Sequence, residues 1–424
     1  MNFFRQIYYE MKHQKMMTWV SISGTALSIF LVMALFMTDQ VKSVEISPES
    51  NRHRILIAQN LEVGGNNALG STSGINKELI DQLYLNLDGV EKVSYVYAFP
   101  WKKIINLRGK DPVSVHPKRV DNEFWNIYDF RFIDGKPFDQ ADIDNQVRKV
   151  IISRSIARQL FGEDNVAGRD VEIDYIAYTV CGVVEDVSPL LKSTYAQIYI
   201  PYKPGVSNEE FFGDASMVLL MKEGVDPQHI KTQVENRYKT INAGLTDRGQ
   251  ELVYHLQPYT SQEMAMFFGS NNSPDVEAHD KKMWIFYTVL ILLPAINLSS
   301  MTRSRLRHRV SEIGVRRAFG AKKSSIVLQM FGENLLITIF GGIIGLLLSV
   351  IFVMTASHLL FCNGDLFTSS LEIINARPTF GMLFKWQTFF IALLYCLILN
   401  ILSATIPSWQ ASRVAPAVAI TKSR

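Results

Sequence analysis

The sequence predicts an α-helical membrane protein with four transmembrane helices and a large extracytoplasmic α/β domain, a mixed sheet in two lobes. Residues 16–37 contain no charged side chain and exceed the length of about 20 residues that crosses a bilayer. Residues 39–282 are a polar mixture with no comparable apolar run. Residues 303–323 hold eight Lys or Arg residues against one acid, between two apolar segments. Such a block is typical of a loop on the cytoplasmic side of a membrane.

These features divide the 424 residues into an interfacial helix, four spans, an outer domain, two loops and a tail. In chain order the predicted segments are the interfacial helix 1–15, the first span 16–38, the extracytoplasmic domain 39–282, the second span 283–302, the cytoplasmic basic loop 303–329, the third span 330–356, the outer loop 357–385, the fourth span 386–407 and the cytoplasmic tail 408–424.

The first apolar run predicts an uncleaved span rather than a signal peptide. It is too long for a signal sequence, and no small-residue cleavage site follows it before Asp39. Small residues recur along it at spacings of four, at Ser21, Gly24, Thr25 and Ser28. Such spacing lets a second helix approach closely.

The outer domain opens and closes with a strand–helix–strand pattern. The first unit comprises a strand at 54–59, a helix at 76–87 and a strand at 92–99, and the helix carries apolar residues on one face. The second unit comprises a strand at 216–221, a helix at 227–241 and a strand at 251–257. We expect the two units to pack into one lobe. The Gly-, Asn- and Ser-rich stretches 60–74 and 269–274 are expected to be loops.

The section between these units is expected to form the second lobe. Glycines at 135, 162, 168 and 182 separate short apolar runs, and the order reads turn, strand, helix, turn, strand, strand.

The later spans carry packing and polar signals. Pro294 and Asn297 interrupt the second span, and we expect Asn297 to face another helix in a packing or hinge role. In the third span Gly341 and Gly345 form a GxxxG pattern with Gly342 beside them, which predicts close helix packing. Whether this contact lies within one subunit or across a dimer is open.

The basic loop is expected to contain a short helix at the membrane surface. Ser311 can cap its start and Gly320 can end it. The loop offers the cytoplasm an ordered sequence of apolar and charged side chains, so we predict that it docks a partner as a helix in a groove. The predicted docking residues are Glu312, Ile313, Gly314, Arg316, Arg317, Ala318, Phe319, Gly320 and Ala321.

That loop also carries a family resemblance. The sequence EIGVRRAFGA at 312–321, then Glu333 and the Gly341-Gly342 pair, closely resembles the FtsX/MacB superfamily of ABC-transporter permeases. The order of elements through VIISRSIARQLFG at 150–162 and YTVCGVVED at 178–186 is similar to the periplasmic core domain of MacB-type permeases. The tail from 407 to 416 is similar to the family's C-terminal P-x-W-x-A-x-R pattern with a later proline.

The resemblance implies a transport permease of the bacterial inner membrane. It implies a homodimer or a paralogous heterodimer with two ABC ATPase subunits, whose ATP-driven closure passes through the cytoplasmic helix to the spans and the outer domain. A periplasmic adaptor or outer-membrane partner is compatible with this layout. MacB carries its ATPase before the first span, whereas this sequence begins close to that span. We therefore expect the ATPase, with its ATP and magnesium, on a separate polypeptide.

Three alternatives stay open at this stage: a lipoprotein-releasing permease, an FtsX-like regulator that activates a cell-wall hydrolase, and a membrane receptor without an ATPase. No GxxxxGK[ST], HExxH or CxxC pattern occurs in the sequence, so no phosphate loop, zincin motif or paired-cysteine site is predicted, and no cofactor or metal is expected on the chain. The dense basic block lies in a loop between two predicted spans, which argues against nucleic-acid binding. Of the three cysteines, Cys396 is expected to pack in a span, and no disulfide is predicted between Cys181 and Cys362.

Overall fold

The computed structural model describes residues 15–43, 45–65, 70–72, 74–205, 209–265, 276–286, 288–289, 319–320, 323–356, 386–387, 389–391, 393–394 and 397–398. The chain divides into two compact units. The membrane unit comprises Met1–Val41, Asp280–Leu360 and Arg377–Arg424, and the outer unit comprises Lys42–His279 and Phe361–Ala376. The predicted interfacial helix, most of the second span, the basic loop, the outer loop, the fourth span and the tail lie wholly or largely outside the described residues.

Regular elements fill most of the described chain. The helices are α1 (Lys15–Ser43), α2 (Lys77–Tyr84), α3 (Phe124–Ile127), α4 (Gln140–Asp144), α5 (Arg154–Phe161), α6 (Pro227–Leu245), α7 (Ser261–Ala265) and α8 (Lys323–Thr355). The strands are β1 (Ile55–Ala58), β2 (Leu61–Gly65), β3 (Gly70–Thr72), β4 (Val90–Tyr97), β5 (Lys103–Asn106), β6 (Val113–Val115), β7 (Pro117–Val120), β8 (Phe132–Gly135), β9 (Lys149–Ser153), β10 (Asp170–Ile173), β11 (Ile176–Val184), β12 (Ile198–Pro201), β13 (Ala215–Met221), β14 (Gln250–Leu252) and β15 (Tyr259–Thr260).

Two helices of the membrane unit, α1 and α8, are long and apolar enough to cross a bilayer. Their apolar stretches, Thr18–Thr38 and Leu335–Thr355, each contain 21 residues with mean hydropathies of 2.1 and 2.7. Along α8 the side chains of Leu347 and Ile351 are each 58% exposed. Large apolar side chains exposed in this way suit contact with hydrocarbon rather than water. Both stretches fall inside the predicted first and third spans.

A large mixed sheet organises the outer unit, as predicted. Its strands follow the order β15-β1-β13-β4-β7-β12-β9-β11-β10-β5-β6, and β8 pairs with β11. Most neighbouring pairs are antiparallel, whereas β11 pairs with β9 and β12 pairs with β7 in parallel. A second sheet has the order β14-β2-β3.

The two strand–helix–strand units pack on one another, in agreement with the sequence. The α2 residues Leu79, Ile80 and Leu83 are buried in one apolar core with Ile230 and Val234 of α6. This spacing places each set on one face of its helix. The helix α2 begins at an Asn76 cap, whose side chain accepts a hydrogen bond from the Glu78 amide. After α2 ends, the Arg237 guanidinium of α6 donates to the backbone carbonyl of Leu85 at 2.6 Å.

The middle section curls into a barrel-like arrangement around its own core. His116 alone separates β6 from β7, so the two ends of the run β7-β12-β9-β11-β10-β5-β6 lie close together. Inward residues such as Val115, Val150, Val180 and Ile198 form a separate apolar cluster. The two predicted lobes share one continuous sheet and also a third apolar cluster, in which Ile57 and Val218 of the flanking units meet Phe124 of the middle section.

The structure corrects two local predictions. Part of the expected loop 60–74 is sheet, because Leu61 and Val63 are buried while β2 pairs with β14 and β3. The composition of glycine and asparagine concealed this short alternation. The strand expected at 251–257 ends at Leu252. The following residues stay beside β2 mainly through side chains, and the His255 ring meets the Glu62 carboxylate at 2.7 Å.

Candidate functional site

The predicted glycine face of α8 lies against α1 within the same chain. A Cβ atom at position 345 would come within 2.6 Å of the Ala26 carbonyl oxygen and 3.0 Å of the Phe30 amide nitrogen. A Cβ atom at position 341 would lie 2.9 Å from the Thr25 Cβ atom. Non-bonded atoms do not approach a real Cβ atom at such distances. The two helices therefore contact through backbone at these glycines, which only a residue without a side chain permits.

Gly342 belongs to the same turn but meets different neighbours. A Cβ atom there would lie 2.6 Å from the Leu393 Cδ1 atom and 3.4 Å from the Ile29 Cδ1 atom. Both are ends of flexible side chains, which can move aside. We therefore expect a small substitution at 342 to be tolerated better than one at 341 or 345.

The small residues of α1 complete this contact. Ser21, Thr25 and Ser28 are buried, with exposed fractions of 4% or less. The Thr25 hydroxyl donates to the Ser21 carbonyl at 2.9 Å, and the Ser28 hydroxyl donates to the Gly24 carbonyl at 2.8 Å. Because each hydroxyl is satisfied within its own helix, these residues offer a narrow surface without an unsatisfied polar group. Phe30 and Phe352 extend the contact with ring centroids 5.4 Å apart.

Most of the predicted docking residues lie outside the described chain. These are Glu312, Ile313, Gly314, Arg316, Arg317, Ala318 and Ala321, and Pro294 and Asn297 of the second span also lie outside it. Phe319 and Gly320 are described. The Phe319 side chain is 89% exposed, and Gly320 has φ +89°, a left-handed conformation that favours glycine. Docking by this segment stays a prediction.

The chain enters and leaves the outer unit on neighbouring strands. Strand β1 follows α1 along the chain, and β15 comes before the second predicted span in the sequence. The two strands pair antiparallel through Leu56 with Thr260 and Ile57 with Tyr259. The Ser261 hydroxyl also donates to the Arg52 carbonyl at 3.4 Å. The Lys231 ammonium of α6 binds the Glu263 carboxylate of α7, and both side chains are largely buried.

Buried charges fasten the entering segment to the middle section. The Glu49 side chain is 1% exposed and lies 3.3 Å from the Arg52 guanidinium. The Thr194 hydroxyl, 145 residues away in sequence, donates to the Glu49 carboxylate at 2.9 Å. A buried carboxylate is stable only when it is paired and hydrogen-bonded, so these partners hold residues 49–52 in place.

Lys118 of β7 lies close to this cluster. Its ammonium donates to the backbone carbonyls of Ser193 at 2.6 Å and Lys192 at 3.1 Å, in the loop that also supplies Thr194. Burial lowers the pKa of Lys118 from 10.5 to about 8, and the Glu49 carboxylate opposes this change. The same loop therefore contacts an acid from the entering segment and a base from the barrel-like part of the sheet.

The lowered pKa predicts a measurable pH dependence. Below pH 8 the lysine is charged in both the folded and the unfolded chain. From pH 8 towards 10.5 the folded chain releases the proton while the unfolded chain keeps it, so the free energy of unfolding rises with pH. We expect a rise of roughly 1 to 3 kcal/mol in wild type, and none from this source in Lys118→Met.

The measurement is the denaturant midpoint of the outer unit from pH 8 to 9.5, a range below ordinary tyrosine titration. The exposed Lys110→Met serves as the matched control and should follow the wild type. Parallel curves for wild type and Lys118→Met would contradict the assignment.

Among the described residues we looked for a metal-binding group and for a reactive thiol. No group of three or more His, Cys, Asp or Glu residues in the described chain could hold a metal ion. Cys181 is a free thiol whose pKa is raised to about 11 by burial, which makes it a poor nucleophile. Cys362 and Cys396 lie outside the described residues.

The buried cluster at Glu49 is a feature that sequence analysis missed. Glu49 and Arg52 stand in a polar stretch of ordinary composition, and neither has a motif around it. Their decisive partner, Thr194, comes from a distant loop, so no linear pattern signals the contact. The sequence shows only that Glu49 and Arg52, an acid and a base, are three residues apart.

Comparison with family models matches the chain over most of its length. A model described as the MacB-like periplasmic core domain matches residues 18–237, which is more than half of the chain. A model described as the FtsX-like permease C-terminal domain matches residues 284–416. The first match covers α1 and most of the outer unit, and the second covers α8.

Curated relatives agree with these matches. The chain is 22% identical over 394 residues to the macrolide export ATP-binding/permease protein MacB of Salmonella paratyphi A, covering 87% of this chain and 57% of that protein. It is 23% identical over 290 residues to the MacB protein of Escherichia coli K12, covering 65% and 41%. The chain thus spans 57% of the first relative's length and 41% of the second's.

The solved structures with some similarity to this chain include extracellular and periplasmic domains of transport proteins. The periplasmic region of MacB from Actinobacillus actinomycetemcomitans is 13% identical, with a TM-score of 0.33 over 50% of this chain and 94% of that one. The extracellular domain of the ABC-type transporter YknZ from Gram-positive bacteria is 15% identical, with a TM-score of 0.32 over 46% and 100%. At these TM-scores the two structures add nothing to what the family models establish.

Proposed function

Because this chain belongs to the FtsX/MacB family of ABC-transporter permeases, we propose that it is the transmembrane component through which an ABC ATPase moves an outer domain. The observation that carries the proposal is the tandem of family matches, periplasmic core domain at 18–237 followed by permease domain at 284–416. The cargo in this proposal is periplasmic or drawn from the membrane, and the working unit is a dimer with two ATPase domains.

The contact between α1 and α8 supports a mechanical role for the membrane unit. Backbone contact at Gly341 and Gly345 leaves no flexible side chain between the helices to absorb a displacement. In the proposal, movement of α8 is therefore passed to α1. The chain continues from α1 into the segment that Glu49 fastens to the outer unit.

Nucleotide chemistry is assigned to the ATPase in this proposal. The 424 residues contain no GxxxxGK[ST] sequence that could cradle a phosphate, so ATP and magnesium are bound by the partner domain. This chain supplies the docking surface, and the segment 312–321 is the proposed site. Its acid at Glu312 suits the positive end of a helix, and Arg316 and Arg317 follow one turn later to meet carboxylates on the partner.

Charge reversal within the docking segment tests the proposal. We expect Arg317→Glu to reach the membrane and fold, but to retain at least tenfold less ATPase on purification and to lose transport-linked ATP turnover, because carboxylates on the partner would face a like charge. Gly320→Leu should give a similar loss, since φ +89° is strained for leucine. The measurement compares co-purified ATPase and coupled turnover at matched membrane levels.

Arg305→Glu is the matched control, because it reverses one charge in the same basic loop outside the docking segment. It should retain wild-type ATPase binding. If Arg317→Glu and Gly320→Leu also retain wild-type binding and coupled activity, the docking assignment is wrong. If all three variants lose membrane insertion, the arginines serve topology instead.

A further inference from the structure

A cleft in the outer unit combines aromatic walls with basic side chains. Its cavity volume is about 60 Å³, room for part of one ligand side chain. Its lining comes from the end of β4 and the following turn, the start of β5 and the start of β7: Tyr97, Phe99, Pro100, Trp101, Lys103, Pro117 and Arg119. Strand β5 pairs with β6, with Lys103 opposite Val115, and the chain continues through His116 into β7, which brings the start of β5 beside Pro117 and Arg119.

Arg119 is a cleft residue whose guanidinium has no close carboxylate partner among the described residues. Its guanidinium carbon lies 4.9 Å from the centre of the Tyr97 ring. Among the described residues no carboxylate lies within 4.0 Å of the guanidinium. The nearby acids have other partners: Asp174 binds the Lys103 ammonium at 2.5 Å, and Asp214 accepts from the Tyr202 hydroxyl at 2.8 Å. An oriented guanidinium on an aromatic ring suits a carboxylate ligand.

Apolar side chains stand exposed around the mouth of the cleft. The Trp101 side chain is 60% exposed and Ile104 is 46% exposed. Asp174, which binds Lys103, is followed at the tip of the β10–β11 hairpin by Tyr175, which is 90% exposed. Tyr175 has φ +67° and Asp174 has φ +48°. A left-handed backbone is unfavourable for a tyrosine. The Tyr175 side chain is also left largely uncovered by the described residues.

We propose that this cleft binds a polypeptide segment of a partner protein in which a carboxylate adjoins an aromatic or aliphatic side chain. The carboxylate meets Arg119, and the apolar side chain enters between Phe99, Trp101 and Pro117. Trp, Tyr and Arg are the residues that dominate binding energy at protein interfaces. The inference goes beyond the proposed function, since it concerns a ligand of the outer unit and holds whether or not an ATPase docks.

The extent of the surface favours a polypeptide over a small amphiphilic anion. Trp101 lies just before β5, Ile104 lies in β5 and Tyr175 lies at the tip of the β10–β11 hairpin. A ligand confined to the cleft would leave that hairpin tip uncovered. A peptide can enter the cleft with part of one side chain and cover the tip with its neighbours. Charge agrees with this choice, because Lys103 and Arg119 both line the cleft, and Asp174 binds Lys103.

The test uses the full chain in nanodiscs and a random heptapeptide display library. Peptides are selected on wild type and counter-selected on Arg119→Gln. We expect enriched peptides to place Asp or Glu beside Phe, Tyr, Leu or Ile. A synthetic consensus peptide should then bind Arg119→Gln and Trp101→Ala at least tenfold more weakly than wild type. Arg148→Gln is the matched control, an exposed arginine outside the cleft, and should bind like wild type.

A peptide without its carboxylate distinguishes recognition of that group from non-specific apolar binding. Replacing the acidic residue of the peptide by its amide should weaken binding to wild type at least tenfold. The same replacement should leave binding to Arg119→Gln unchanged. Thermal unfolding of each variant checks that the outer unit remains folded. The proposal is overturned if no selected peptide distinguishes wild type from Arg119→Gln. It is also overturned if dodecanoate binds with the same dependence on Arg119 while peptides do not, which would make the ligand an amphiphilic anion.

Discussion

Replacing Gly341 and Gly345 together by leucine should prevent the protein from accumulating in a folded form. Each Cβ atom would lie within 3.0 Å of atoms of α1, which include two backbone atoms near position 345. The helices must therefore separate before the rest of a leucine is placed. Separation would remove the contact that buries Ser21, Thr25 and Ser28. We expect at least a tenfold fall in the yield of monodisperse protein, measured by size-exclusion chromatography after mild detergent extraction.

Single alanine substitutions give a graded control for this steric argument. Gly345→Ala should destabilise more than Gly342→Ala, because position 345 meets the Ala26 carbonyl while position 342 meets the end of the Leu393 side chain. The order of their apparent melting temperatures decides the matter. Equal melting temperatures, or a double leucine variant with normal yield and activity, would show that the helices do not pack through these glycines.

Removing the Glu49 carboxylate should give the second large effect. In Glu49→Leu the Arg52 guanidinium loses its buried partner and the Thr194 hydroxyl loses its acceptor. Breaking a buried ion pair from one side costs about 3–5 kcal/mol. We expect a loss of that size in the free energy of unfolding of the outer unit, measured by denaturant titration of the full chain. Hydrogen exchange should accelerate at residues 185–197.

Two further variants distinguish the ion pair from the segment that carries it. Glu45→Leu removes an exposed carboxylate from the same segment and should change stability by less than about 1 kcal/mol. Glu49→Leu combined with Arg52→Leu removes both charges and should regain part of the loss. Equal losses for Glu45→Leu and Glu49→Leu would show that burial of this carboxylate does not matter.

The sequence was most informative where patterns are local. The apolar face of α2 followed from its residue spacing, and the apolar stretches of α1 and α8 followed from length and hydropathy. These signals depend on residues a few positions apart, so a single sequence reveals them. The short strands β2 and β3 escaped because glycines next to them resembled a loop, although pairing with β14 places Leu61 and Val63 in the core.

The candidate sites divide in the same way. The GxxxG pattern marked Gly341 and Gly345 directly, but only the structure identifies α1 as the helix that they meet. The Glu49 cluster joins residues 145 positions apart, and the Arg119 cleft is lined by parts of β4, β5 and β7. Neither site leaves a local pattern, because their defining contacts connect separate strands and loops.

The short pairing of β15 with β1 has a mechanical consequence. The entering end of β1 and the leaving end of β15 point the same way and share two residue pairs, whereas β1 and β13 share four. Forces that draw residues 42 and 279 apart would therefore peel β15 from β1, breaking its hydrogen bonds one after another. Peeling requires much less force than sliding strands past each other, when all bonds resist together. The ion pair between Lys231 and Glu263 lies just after β15 in the chain, so it resists the start of this strand separation.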